Sequence, residues 1–179
     1  MSYLSAAFFT WVQGAQFYVD LHTQAIEQLP TGNGKSWLDV GCGPGLVARL
    51  ARNRGYDVLG LDQDATMIRM AAHISRRDTH CRFEVGDLEH TSSQHSADVV
   101  SAASLLFILP DPTAALHQLW RCVRPHGYLL VIETTSLMTP ELARQVSDTT
   151  PPGRRLALHL WVRETGKQSP QRYMNHSLL

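Results

Sequence analysis

An eight-residue segment, Leu38-Asp-Val-Gly-Cys-Gly-Pro-Gly45, constrains the fold of this 179-residue chain more than any other part of it. It joins a predicted buried strand at residues 37–40 to a predicted helix that begins near Leu46. Glycine is used where φ must be positive or where a ligand approaches the main chain closely, and the N–H groups that open a helix attract anionic or polar groups. The segment therefore predicts a small ligand with a polar end at this turn, although a glycine-rich turn without a ligand has the same pattern.

Apolar runs alternate with helical patterns from residue 37 to about residue 134, as in a parallel sheet with crossover helices. Beyond the first strand we predict strands over 57–62, 81–85, 97–101 and 128–133, with a turn at 124–127 before the last. Asp64 is placed to cap one helix, and Asp111 followed by Pro112 is placed to begin another. Helical spacing predicts two apolar faces, comprising Met67, Ile68, Ala71 and Ile74 in one helix and Leu116, Leu119, Trp120 and Val123 in the other. These patterns predict a Rossmann-like, doubly wound α/β fold, with a mostly parallel sheet and helices on both faces.

Composition narrows the class of protein. Sixteen basic and sixteen acidic residues give a formal charge of zero, which argues against a general nucleic-acid binder. The chain after Pro151 has a net charge of +4, which favours a solvated tail over a contact with an acidic partner.

Cys42, Cys81 and Cys122 have neither a C-x-x-C pair nor zinc-site spacing, which indicates a reducing compartment and no metal. We see neither a leader-like segment nor an apolar run of membrane length, and we expect a cytoplasmic protein without a membrane partner.

Three acids follow predicted strands, at the edge of the sheet where ligands bind in such folds: Asp39, Asp62 and Asp87. An acid about twenty residues beyond the glycine turn is suited to accept hydrogen bonds from both ribose hydroxyls of a nucleoside. Nicotinamide dinucleotides and S-adenosylmethionine both have such a ribose. A dinucleotide fingerprint needs glycine or alanine at position 46, where this chain has Leu46, so the pattern of a dehydrogenase is broken.

With these motifs in this order, the chain resembles the class I S-adenosylmethionine-dependent methyltransferases, particularly the small-molecule type in the family that includes ubiquinone-biosynthesis methyltransferases. The resemblance runs from about Trp37 to Glu133. Beyond the glycine segment it rests on Gly60-Leu-Asp62, Gly86-Asp-Leu88, Ala97-Asp-Val-Val100 with residues 106–111, and Arg124-Pro-His-Gly127. It implies S-adenosyl-L-methionine as the cofactor and in-line methyl transfer to a small molecule.

The resemblance also implies a set of cofactor-binding residues. Asp39, Gly41 and Gly45 would hold the methionine portion, and Gly43 would let the backbone pass the cofactor. Asp62 would bind the ribose hydroxyls, with Gln63 along the adenine, Asp87 and Leu88 at its amino group and ring nitrogen, and Ala102 beneath the sulfonium. Cys42, Met67 and Tyr18 complete the set. For Asp62 and Asp87 a role as turn or helix caps stays open, and for Leu88 and Ala102 plain packing.

The same resemblance divides the chain into a single methyltransferase domain with three parts: a helical cap over 1–34, a cofactor-binding core over 35–135 and a shortened segment over 136–179. Aromatic residues crowd the cap, either as a lid over the cofactor with Tyr18 nearest it or as the apolar face of a packed helix. Residues 156–162 fit a sixth strand or a helix. The C-terminal sheet is therefore expected to be incomplete, to be completed by a second subunit in a homodimer, or to have lost part of its substrate cover.

The sequence pattern identifies no residue as the catalytic base. Relatives often carry histidines where this chain has Phe107 and Ile108, and His90 fits a surface role better. Nucleic-acid methylation is disfavoured because Ser101 to Ser104 replaces an Asn-Pro-Pro-Tyr type motif, and a metal-dependent catechol-type enzyme is disfavoured as well. The alternative to an enzyme is a non-catalytic S-adenosylmethionine-binding or interaction protein with the same fold.

Overall fold

The computed structural model describes residues 3–89, 91 and 96–133. The predictions for His90, for residues 156–162 and for the completeness of the C-terminal sheet lie outside the described residues.

Helices and strands alternate along the described chain largely as the sequence predicts. The helices are α1 (Tyr3–Gln13), α2 (Gln16–Glu27), α3 (Leu46–Asn53), α4 (Ala65–Ile74) and α5 (Pro112–Arg121). The strands are β1 (Ser36–Val40), β2 (Asp57–Asp62), β3 (Cys81–Val85), β4 (Ala97–Ala103) and β5 (Val123–Ile132), and a 3-10 turn, Leu106–Ile108, follows β4. None of the described helices is long and apolar enough to cross a membrane.

The strands form one parallel sheet in the order β3-β2-β1-β4-β5. The chain moves outward in one direction from β1 to β3 and in the other direction from β4 to β5. This reversal opens a crevice at the carboxyl ends of β1 and β4, which is where ligands bind in open α/β sheets. The predicted Rossmann-like, doubly wound fold is confirmed.

Alternate residues of β1 supply the two sides of the core. Leu38 and Val40 pack on one face of the sheet together with Leu119 of α5. Trp37 packs on the opposite face together with Val47 and Ala51 of α3. Because side chains alternate along a strand, Asp39 lies on the same face as Trp37, under the helices α2 and α3.

Polar side chains begin α4 and α5, as predicted. The Asp64 side chain accepts a hydrogen bond from Thr66 N at 2.7 Å, and the Asp111 side chain accepts one from Ala114 N at 2.9 Å. Each aspartate satisfies an N–H group that has no partner within its helix. Asp64 thereby holds the start of α4 directly after the end of β2.

The fifth strand begins earlier than the sequence predicts. Val123 already pairs with Ala97, and Tyr128 pairs with Val99, so the predicted turn lies inside β5 as an irregularity. His126 has a φ of 64° in this segment, and a Cβ at Gly127 would lie 2.6 Å from Asp98 O. A parallel strand can accommodate extra residues of this kind and resume its register beyond them.

Two residues of the predicted apolar faces are exposed. Ile74 retains 38% of its accessible surface and Trp120 retains 59%. In α5 the buried positions are Ala115 and Leu119, one turn apart, and Trp120 is rotated about 100° away from Leu119. The prediction for these two side chains was wrong because the buried stripe is narrower than the apolar spacing indicated.

The N-terminal helices form a layer on α3. Val12, Ala15 and Tyr18 cluster with Leu46, and Phe8 and Phe17 pack against them. Phe9 and Trp11 retain 41% and 40% of their accessible surface. Phe8 and Phe17 therefore belong to a packed helix face, Phe9 and Trp11 stay partly exposed, and Tyr18 is deeply buried beside the carboxyl end of β1.

Candidate functional site

The turn between β1 and α3, residues 41–45 and here called the glycine loop, needs its glycines for two reasons. Gly45 has a φ of 80°, and a Cβ there would lie 2.7 Å from Phe83 Cε1. Gly41 has a φ of 68°, and a Cβ there would lie 2.9 Å from Leu105 Cδ1. Other residues rarely adopt such φ values, and neither position has room for a side chain. The turn is therefore built from main chain at Gly41 and Gly45, and the side chains of Leu105 and Phe83 lie directly against these two positions.

Asp62 connects the glycine loop to the end of β2. Its Oδ2 accepts a hydrogen bond from Gly43 N at 2.8 Å, and its Oδ1 accepts one from Asp64 N at 2.8 Å. Burial raises the pKa of Asp62, and these two backbone N–H groups oppose that shift. Each carboxylate oxygen has a second lone pair, so Asp62 can hold the loop and still accept from a ligand.

Asp39, at the end of β1, is 1% exposed. Its Oδ1 accepts a hydrogen bond from Ser101 Oγ at 2.7 Å, and Ser101 Oγ in turn accepts one from Trp37 Nε1 at 2.7 Å. Its Oδ2 is buried and has no hydrogen-bond partner. Burial raises the pKa of Asp39 to about 7, although the Ser101 hydroxyl opposes the shift. A buried carboxylate oxygen without a donor marks a place where a ligand with N–H or O–H groups fits.

A small cavity lies against this carboxylate. Its polar lining comes from Gln13, Tyr18, His22 and Asp39, next to Gly41 and Cys42 of the glycine loop. The cavity therefore lies between the predicted helical cap and the predicted core. Helices α1 and α2 supply one wall, and the end of β1 supplies the other.

His22 and Gln13 are polar residues of this cavity that the sequence analysis missed. His22 is 1% exposed, and its ring stacks on Tyr18 with the centroids 4.2 Å apart. Its Nδ1 lies 2.7 Å from Tyr18 O, while its Nε2 is buried and has no partner. The sequence alone does not single out His22, because nine histidines are spread over the chain. Only the folded structure brings His22 to the same cavity as Asp39.

A second group of polar contacts holds the segment that follows β4. Glu133 Oε1 accepts hydrogen bonds from Leu105 N at 2.9 Å and from Leu106 N at 2.7 Å. The Tyr18 hydroxyl pairs with the Ser104 side chain, and burial raises the pKa of that tyrosine. These contacts fix the Leu105 side chain over Gly41, beside the cavity.

The structure brings some predicted site residues together and leaves others apart. Tyr18, Asp39, Gly41 and Cys42 line the cavity, and so does Ala103, which the sequence analysis did not name. Ala102 is fully buried on the α5 side of the sheet, where Leu88 also packs. Gly43 and Gly45 belong to the glycine loop, while Met67 is buried in α4 and Gln63 is exposed.

Asp87 lies on the β3 side of the crevice and is exposed. Gly86 N donates to Asp62 O at 3.1 Å, which places the segment before Asp87 beside the end of β2. Asp87 O accepts from Thr91 N at 3.1 Å. Residues 3–89, 91 and 96–133 contain no group of three or more His, Cys, Asp or Glu side chains that could hold a metal ion.

Comparison with known proteins places this fold in a family. Residues 38–131 match the family model described as a methyltransferase domain. The chain belongs to this methyltransferase domain family. The match begins at the strand that carries Asp39 and ends within β5, so it covers the glycine loop, Asp62 and the crevice. The resemblance predicted from the sequence is confirmed.

Individual relatives agree with this assignment. A ubiquinone biosynthesis O-methyltransferase of Coxiella burnetii is 31% identical over 106 residues, which cover 58% of this chain and 45% of that protein. The chain thus spans about half the length of the curated relatives that it matches. Among solved structures, a Haemonchus contortus phosphoethanolamine N-methyltransferase 1 with phosphoethanolamine and S-adenosylhomocysteine is 26% identical, with a TM-score of 0.57 and coverage of 69% of this chain and 28% of that one. The 4+2 cyclase SpnF is also 26% identical, with a TM-score of 0.57 and coverage of 65% and 44%.

Proposed function

We propose that this chain is an S-adenosylmethionine-dependent methyltransferase that acts on a small molecule by in-line methyl transfer. The observation that carries the proposal is the glycine loop, which follows Asp39 and is held by Asp62 through Gly43 N, at the crevice of a methyltransferase-family domain. The loop offers backbone at close range, and the two carboxylates offer acceptors on either side of it. When bound, the cofactor supplies an electrophilic methyl group on a sulfonium.

The residues present fit such a group. Asp39 Oδ2, buried and without a donor, would accept from the ammonium of the methionine portion. Trp37 and Ser101 hold this carboxylate in one orientation through their hydrogen bonds. Asp62, anchored by Gly43 N, would accept from the ribose hydroxyls. The roles proposed above for Gln63, Met67, Asp87, Leu88 and Ala102 stay predictions.

These contacts position the donor, and the protein then has to align the acceptor and exclude water. A small-molecule acceptor is supported by the O-methyltransferase and N-methyltransferase names of the relatives. The cytoplasmic location, the homodimer and the lack of nucleic-acid and membrane partners stay predictions.

A second candidate is a protein that binds S-adenosylmethionine without transferring its methyl group. A related structure named as a cyclase has the same fold, and the Leu105 side chain lies directly over Gly41. The two candidates differ in one assay, in which the chain is incubated with methyl-labelled S-adenosylmethionine and a small-molecule cell extract. We expect label in a small-molecule product together with S-adenosylhomocysteine. Binding of S-adenosylhomocysteine without labelled product would support the second candidate.

Replacing Asp62 with alanine tests the ribose assignment. We expect at least about tenfold weaker binding of S-adenosylhomocysteine in calorimetry, because a charged acceptor for two hydroxyls is lost. The matched control is Asp64→Ala, which removes the cap of α4. This control is expected to lower the free energy of unfolding by about 1 kcal/mol and to leave the affinity within about twofold. Equal losses of affinity in both variants would contradict the assignment.

A further inference from the structure

Three buried acceptor atoms without hydrogen-bond partners belong to residues of one cavity. They are Gln13 Oε1 at the end of α1, His22 Nε2 on α2 and Asp39 Oδ2 at the end of β1. Buried polar atoms in folded proteins almost always have a hydrogen-bond partner. Three buried acceptors without one, on residues that line the same cavity, therefore point to a common ligand.

The histidine acts as an acceptor in this cavity. Its Nδ1 lies 2.7 Å from a carbonyl oxygen, Tyr18 O, and must therefore carry the proton of the neutral ring. Burial lowers the pKa of His22, which favours this neutral form. The lone pair of Nε2 is then left for a donor, and stacking on Tyr18 holds the ring in place.

The two neighbouring groups are acceptors as well. Asp39 Oδ2 belongs to a carboxylate whose other oxygen already accepts from Ser101. The Gln13 side chain lies against the glycine loop, since a Cβ at Gly43 would be 3.7 Å from its Nε2. A group with several donors on one small centre can serve more than one of these acceptors, and a positive charge on it would match the single carboxylate.

We propose that His22 and Gln13 of the N-terminal helices, together with Asp39, form a three-acceptor site that selects a protonated primary amine at the amino acid end of the cofactor. This inference rests on the proposed function and adds to it the role of the helical cap. An –NH₃⁺ group has three donors, as many as the cavity has acceptors without partners, and Leu46 and Val47 add apolar side chains to the lining. His22 and Gln13 are thus specificity residues supplied from outside the matched family region.

Calorimetry with two ligands tests this role. The ligands are S-adenosylhomocysteine and its deaminated analogue, in which hydrogen replaces the amino group. We expect the wild-type chain to prefer S-adenosylhomocysteine by at least about tenfold. His22→Phe keeps a ring to stack on Tyr18 but removes Nε2, and Gln13→Leu removes the amide. In each variant the preference should fall by about fivefold or more, while the affinity for the deaminated analogue stays unchanged.

His73→Phe serves as the matched control, because His73 is an exposed histidine on α4 and does not line the cavity. This variant should keep the wild-type preference. Unchanged binding of the deaminated analogue shows that a variant is folded. If the wild-type chain binds both ligands equally, or if both cavity variants keep the preference, the three-acceptor site is wrong although the proposed function stands. If the wild-type chain binds neither ligand, the proposed function itself fails.

Discussion

Replacing Asp39 with asparagine is expected to stabilise the free protein above pH 7 and to weaken its binding of S-adenosylhomocysteine by more than about tenfold. Burial raises the pKa of Asp39 to about 7 from a usual value of 3.8. The folded chain therefore holds a proton that the unfolded chain releases between about pH 4 and pH 7, so the free energy of unfolding falls as the pH rises through this window. The full loss is on the order of 4 kcal/mol above pH 7.

Asparagine does not titrate and can still accept from Ser101, so the variant should recover part of this loss, about 2 kcal/mol at pH 8. Denaturant unfolding of both proteins between pH 4 and pH 8 measures the effect. Burial also raises the pKa values of Asp62 and Glu133, but those groups are present in both proteins, so the difference between the two reports Asp39 together with its repulsion from Asp62. A stability difference that does not change with pH would contradict this interpretation.

Replacing Gly45 with alanine is expected to lower the free energy of unfolding by about 3 kcal/mol. Two effects add. The φ of 80° strains any residue with a Cβ, and the new methyl group would lie 2.7 Å from Phe83 Cε1 and 2.8 Å from Phe83 Cζ. The aromatic ring is itself packed between the loop and Gly60, so it has little space to move away.

Gly34 is a matched control for the strain alone. It has the same φ of 80°, and a Cβ there has no neighbour within 4 Å. Gly34→Ala should therefore lose only about 1 kcal/mol. A Phe83→Leu substitution combined with Gly45→Ala should recover part of the clash, as a positive coupling in a double-mutant cycle. Equal losses at both glycines would show that the contact with Phe83 has no energetic role.

Local sequence patterns were sufficient to predict most strands of the sheet and the residues at which helices α4 and α5 begin. Strands β2 and β3 have the predicted limits, and Asp64 and Asp111 cap their helices as predicted. These features depend on residues close together in sequence. The start of β5 depends instead on pairing with Ala97, and the exposure of Trp120 depends on how α5 rests on the sheet. Neither is set by local propensity, and both were predicted wrongly.

The same distinction between local and long-range determinants applies to the candidate site. The glycine loop and the acids at the strand ends follow from a contiguous motif and from the topology of parallel sheets. The contribution of His22 arises because α2 packs over the end of β1, which brings the ring to Asp39 from seventeen residues away along the chain. Its helical spacing from Tyr18 predicts only that the two side chains share a face.

Isothermal titration calorimetry of the purified wild-type chain with S-adenosylhomocysteine tests most directly whether the glycine loop, Asp39 and Asp62 form the binding site of a methyl donor. We expect saturable binding with one ligand per chain and a dissociation constant in the micromolar range, about 1–50 μM. Asp62→Ala should shift this value upward, as described above. The absence of measurable binding by the folded wild-type chain at about 100 μM ligand would contradict the assignment of this cofactor.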